Sequence, residues 1–98
     1  MTPENVQTAI LQTLKDIQAV SGRAWHDLPL TAVPIRDVEG FDSLLSVEAT
    51  MLVEEKLGCG ELKGDSIFIS DDGQRALSIS EIAEKVIKMA SKKGGNND

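Results

Sequence analysis

The sequence predicts an all-α fold: a small three- to four-helix bundle with a long loop between the first and second helices. Three observations carry this expectation. Apolar residues recur at helical spacing in three separate stretches, around residues 3–20, 43–57 and 79–91. A helix-start signal precedes each of them. Aromatic side chains are scarce (Trp25, Phe41 and Phe68, with no tyrosine), so the core must come from Leu, Ile, Val, Met and Ala, which suits helix packing better than a β-sandwich. Ninety-eight residues make one small domain with one modest core.

Thr2-Pro3-Glu4 supplies a capping hydroxyl, a proline at the first helical position and an acid in the first turn. Val6, Ile10, Leu14 and Ile17 then form a stripe, widened by Ala9 and Val20, and Gly22 ends the helix. Residues 22–42 show no sustained period, and Pro29 and Pro34 break any long helix. Trp25, Leu28, Leu30, Val33, Ile35 and Val38 are too many apolar side chains for a free linker, so an ordered loop with one short turn should pack across the bundle. A loop of that length in a small domain hints at function. The second helix is expected from about Ser43 to Leu57, with Leu44, Val47, Met51 and Leu52 as its stripe, Glu48, Glu54 and Glu55 exposed, and Gly58 as its stop. Cys59 to Lys63 reads as a turn; Ile67-Phe68-Ile69 reads as either an extended piece or one helical turn, ahead of an Asp71-Asp72-Gly73 turn. Ser78-Ile79-Ser80-Glu81 is a capping box, and Ile79, Ile82, Val86 and Met89 share a face behind it. That helix should end near Ser91. Residues 1–91 then make the bundle, and the polar, glycine-rich residues 92–98 a disordered tail.

Charge and cysteine content narrow the function. Sixteen acidic residues against ten basic ones give a net charge of −6. Nucleic acid is a poor partner for such a chain, because its phosphates demand clustered positive charge; basic protein surfaces are good ones. Cys59 stands alone, so no internal disulfide can form, which fits a reducing compartment. The polar N-terminus lacks a signal peptide's apolar stretch, and no run of about 18 apolar residues exists. A cytoplasmic location follows as the expectation.

Little in the chain suits catalysis. His26 and Cys59 are single and share no motif. A structural zinc site wants several Cys or His at short spacing. Nothing basic adjoins Cys59 to activate its thiol. Placing Gly73 at the sixth position of a calcium loop puts Phe68 and Ile79 at ligand positions, where neither can ligate. No phosphate-cradling G-x-x-x-x-G-K motif is present. The chain is therefore expected to be neither an enzyme nor a metal protein.

Asp42-Ser43-Leu44 is the most informative triplet. It stands at the entrance to the second helix, just after the turn-forming Glu39-Gly40-Phe41. On its own it reads as an N-cap. A serine at that position nonetheless presents a hydroxyl to solvent from a fixed backbone, and no histidine or lysine adjoins it to take its proton. Such a hydroxyl suits modification by another enzyme better than attack of its own. The segment from Gly40 through Asp42-Ser43-Leu44, Val47-Glu48, Met51 and Glu54-Glu55 to Leu57-Gly58 resembles the prosthetic-group site and second helix of the acyl carrier protein family. The capped first helix, the long loop and the last helix fall in the same order, so the resemblance covers roughly residues 3–90.

The resemblance implies that Ser43 carries 4′-phosphopantetheine, installed from coenzyme A by a phosphopantetheinyl transferase, and that Asp42 belongs to the transferase's recognition site. It implies that Leu44, Val47, Glu48 and Met51 form a mixed apolar and acidic face, extended by Glu54 and Glu55, for acyl-transfer, ligase or synthase enzymes with basic docking patches. A monomer is the simplest such shuttle. The sequence departs from the family pattern at Leu45, where many fatty-acid carriers have an acid, at Val38-Glu39-Gly40, in the longer stretch from Cys59 to Phe68, and at Gly73. These departures point to a specialised pathway carrier in fatty-acid, lipid or polyketide-type biosynthesis. The competing reading is an unmodified helical interaction module of the same fold, which would have no need of the hydroxyl.

Overall fold

The computed structural model describes residues 2–59 and 66–95, the last five as backbone alone. The expected turn from Cys59 to Lys63 and the end of the polar tail fall largely outside that range. Four helices occur among the described residues: α1 (Pro3–Val20), α2 (Pro34–Asp37), α3 (Ser43–Leu57) and α4 (Ile79–Gly95). The domain is a small helical bundle in which α1 packs against both α3 and α4.

Helix α1 begins as its sequence dictates. Thr2 Oγ1 accepts from the Asn5 N–H at 3.2 Å and Pro3 occupies the first turn. Val6, Ile10, Leu14 and Ile17 are buried. Val20 is not: it is 89% exposed. It shares the stripe's angle but is the last residue of the rod, and no described residue covers its side chain. Gln18 is buried instead, its amide Nε2 donating to the Glu39 carbonyl at 3.2 Å and tying the end of α1 to the loop. Thr13 is also fully buried, and its Oγ1 has no partner among the described residues. A buried hydroxyl without a partner costs more than a methyl in its place. Thr13→Val is therefore expected to raise the unfolding free energy by about 1 kcal/mol, read as a higher urea midpoint; a lower midpoint would show that the hydroxyl is bonded.

The loop of residues 22–42 holds the helices together. The first N–H groups of a helix lack partners within it. Here the Ile79 N–H donates to the Ala32 carbonyl at 2.9 Å and the Ser80 N–H to the Leu30 carbonyl at 3.0 Å, so the loop caps α4. Ala32, Pro34 and Val38 are buried, Trp25, Leu28 and Ile35 pack partly against the core, and Leu30 stays largely exposed. The short turn of the loop is α2, started by Pro34 and closed by Asp37 Oδ2 accepting from the Val33 N–H at 2.7 Å.

Residues 67–77 settle as an extended hairpin-like turn rather than a helical one. Ile69 bridges Ala76 antiparallel, and Leu77 N–H donates to the Phe68 carbonyl at 2.9 Å. Asp72 Oδ1 accepts from Ser70 Oγ at 2.6 Å and from the Gln74 N–H at 3.0 Å, and Gly73 takes the left-handed φ of 73° that the turn needs. The turn drives Phe68 into the core, edge to face with Phe41 at 5.0 Å.

Helix α4 opens with the capping box read from sequence: Glu81 N–H donates to Ser78 Oγ at 3.2 Å, and Ser78 N–H to Glu81 Oε1 at 2.9 Å. Ile79, Ile82, Ala83 and Val86 are buried. The helix continues to Gly95, past the expected end near Ser91.

Four carboxyls sit below their ordinary pKa, chiefly through hydrogen bonds to the charged form. The Ser78 N–H lowers Glu81, the Ser70 hydroxyl lowers Asp72, the Val33 N–H lowers Asp37 and the Gln12 amide lowers Asp16. Each folded-state value lies below the unfolded one, so the unfolded chain takes up protons first as acid is added. The stabilisation is present above the ordinary carboxylate range and is lost as pH falls through about 4 and below. The urea midpoint is expected to decline between about pH 5 and pH 3, less steeply in Glu81→Gln, which keeps a capping-box side chain. A midpoint rising over that interval would contradict these bonds.

Candidate functional site

The site is built by a turn and a helix start. Phe41 N–H donates to the Val38 carbonyl at 3.1 Å, closing a turn over Glu39 and Gly40. Gly40 has a φ of 78°, and a Cβ there would lie 2.5 Å from Arg23 Cζ. The backbone angle favours glycine, while the exposed Arg23 side chain could move aside. Phe41 then anchors in the core, two residues before Ser43. Asp42 is the N-cap of α3, with its Oδ1 accepting from the Leu45 N–H at 2.8 Å. Ser43 is the first residue of the helix, with its side chain exposed. Nothing among the described residues bonds its Oγ. Its carbonyl accepts from Ser46 Oγ at 2.6 Å. The hydroxyl is thus free while the backbone that carries it is fixed from both sides.

Helix α3 has its faces arranged differently from the expectation for its core. Leu44 is 82% exposed and Met51 58%, and Val47 is exposed as well. The inner face consists of Ser46, Ala49, Thr50 and Val53. The helix carries apolar residues nearly all round, so their spacing alone leaves its orientation undecided. Small residues face inward and let α3 approach its neighbours closely. The buried hydroxyls are satisfied: Thr50 Oγ1 donates to the Ser46 carbonyl at 2.8 Å and accepts from the Ile67 N–H at 3.0 Å, and Ser46 Oγ lies 2.7 Å from Ser66 Oγ.

Leu44, Val47, Glu48, Met51 and Glu55 share the exposed side. Glu54 does not: it is only 7% exposed. Consecutive helical residues are about 100° apart, so Glu54 and Glu55 cannot both extend one acidic face, and the expected exposure of Glu54 is corrected.

Ser43 and Val47 also line an open cleft of about 240 Å³ with Ser66, Ile69, Asp71 and Lys85. Lys85 is a residue that sequence reasoning missed. It lies 42 positions from Ser43, but a lysine beside the apolar stripe of Ile82, Val86 and Met89 is a legible sign that its stem is covered. Its side chain is 11% exposed, and its Nζ donates to the Ile69 carbonyl at 2.5 Å and pairs with Asp71 Oδ1 at 3.3 Å. His26 lines a separate cavity of about 150 Å³ with Gln18, Trp25 and Asp37 and is not among the residues of the Ser43 cleft. No group of three or more His, Cys, Asp or Glu among the described residues is placed to hold a metal ion. No helix among them is long and apolar enough to cross a membrane.

A phosphodiester on Ser43 fits these residues: the attachment oxygen is exposed and unbonded, the helix N-terminus favours negative charge, and a lysine shares the cleft. Comparison with protein-family models, with curated proteins and with solved structures yields no match.

Proposed function

We propose that the protein is an acyl-carrier-type protein that holds an acyl or related thioester on a 4′-phosphopantetheine arm at Ser43, and serves a specialised pathway in fatty-acid, lipid or polyketide-type biosynthesis. The observation that supports this most is the exposed, unbonded Ser43 hydroxyl at a capped helix start, beside an exposed face of Leu44, Val47, Glu48, Met51 and Glu55. In loading, the Ser43 oxygen forms a new bond to the pantetheine-side phosphorus of coenzyme A. The bond to the nucleotide half breaks, the nucleotide leaves, and the hydroxyl proton passes to the transferase. The bound arm supplies a terminal thiol for thioester formation. This chain's residues hold the arm's base still and offer partners a surface. A tethered cargo meets each partner site at high effective concentration, and an acidic face gives fast, salt-sensitive and reversible docking.

Incubation of the purified apo-protein with coenzyme A, magnesium and a promiscuous phosphopantetheinyl transferase tests the proposal. A gain of one phosphopantetheine unit in intact mass is expected for the wild type and none for Ser43→Ala. No gain under conditions that load a control carrier would overturn it and leave the α3 face as an unmodified docking surface.

A further inference from the structure

We infer that Lys85 is the binding residue for the phosphate of the group carried on Ser43, an inference that rests on the carrier reading. The Lys85 side chain and the Ser43 hydroxyl line one cleft, although they come from different helices. Lys85 is also unlike an ordinary surface lysine. Its stem is covered, and its ammonium is held by the Ile69 backbone carbonyl rather than left to sample solvent. An ammonium has three donors. The Ile69 carbonyl takes one, the exposed Asp71 carboxylate another, and the Ser66 carbonyl accepts the third at 3.5 Å.

The charge balance at the site calls for such a cation. The start of α3 already carries the Asp42 carboxylate, which has taken the Leu45 N–H that an incoming phosphate would otherwise use. The cleft adds the Asp71 carboxylate. A phosphodiester on Ser43 would be a third negative charge close to these two, and like charges in such proximity are destabilising. Among the described residues that line the cleft, Lys85 is the cation that offsets it. Arg23, whose guanidinium lies over Gly40, does not line the cleft. The pair with Asp71 is solvent-facing on the carboxylate side, which is 78% exposed, so the donor it holds on Lys85 is the one a phosphate oxygen competes for. Because the ammonium is prepositioned by the Ile69 carbonyl, little side-chain entropy opposes the contact.

The test loads wild type, Lys85→Met, Lys85→Arg and Asp71→Asn to completion by intact mass. The ³¹P resonance and the thermal midpoints of loaded and unloaded forms are then compared at low and high salt. Loading is expected to leave the wild-type midpoint level or higher, and to lower that of Lys85→Met by about 4 °C or more at low salt, with the difference shrinking as salt screens the charges. The ³¹P resonance should move in Lys85→Met and return towards the wild-type position in Lys85→Arg. Asp71→Asn, which keeps the Ile69 contact, should raise the loaded midpoint relative to the unloaded one. If Lys85→Met does not fold, the Lys85→Arg and Asp71→Asn pair decides. An unmoved ³¹P resonance and an unchanged loading effect across the folded variants would overturn the inference. A wild type that takes up no phosphopantetheine removes the carrier reading and this inference together; one that loads but ignores Lys85 removes this inference alone.

Discussion

Phe68→Ala is expected to lower the unfolding free energy by about 3–5 kcal/mol. The ring is fully buried and meets Phe41 edge to face, so the substitution removes both transfer free energy and an aromatic contact, and it leaves a cavity. The effect is large against the total of about 5–15 kcal/mol available to a domain. It also bears on the site, because Phe41 anchors the chain two residues before Ser43. Losing its ring partner loosens the turn that delivers Asp42 to the helix start. Leu14→Ala, at an equally buried position, should cost about 2–4 kcal/mol without touching that turn. Urea denaturation measures both, and an unchanged midpoint for Phe68→Ala would contradict the core described above.

Leu44→Arg should have the opposite profile. Leu44 is almost wholly exposed, so stability should stay within about 0.5 kcal/mol of wild type. Loading by the transferase should slow by about tenfold or more, because an apolar contact beside Ser43 becomes a positive charge facing a basic partner. Glu55→Lys should weaken docking in the same direction, with a steep salt dependence. Glu54 is buried, so Glu54→Ala should act on stability rather than on loading. Loading rates and urea midpoints of the three variants separate these outcomes. A Leu44→Arg protein that loads at the wild-type rate would exclude this face from docking.

The helices were readable because their signals are local. Thr2-Pro3 and the Ser78–Glu81 box form the bonds their spacing implies. Gly58, with a φ of 66°, closes α3. The orientation of α3 was not readable, because a helix with Leu44 and Met51 on one side and Ala49 and Val53 on the other gives no single apolar face. Deciding which side is buried takes the small residues Ser46 and Thr50 and their bonds to Ser66 and Ile67, which come from a distant segment. Val20 misled for a related reason: periodicity reports angle around a helix, not whether anything lies opposite its end. Asp42 and Ser43 were legible because capping is local. The cleft that adds Lys85 was not, since only the folding of residues 66–71 against α4 brings it beside Ser43.

Tandem mass spectrometry of the transferase-treated protein tests the central claim most directly, because it reports which oxygen is modified. The phosphopantetheine is expected on Ser43 alone, released as a characteristic fragment from the peptide containing Asp42-Ser43-Leu44. Modification at Ser46 or any other hydroxyl, or an unmodified Ser43 beside a fully loaded control carrier, would contradict the account.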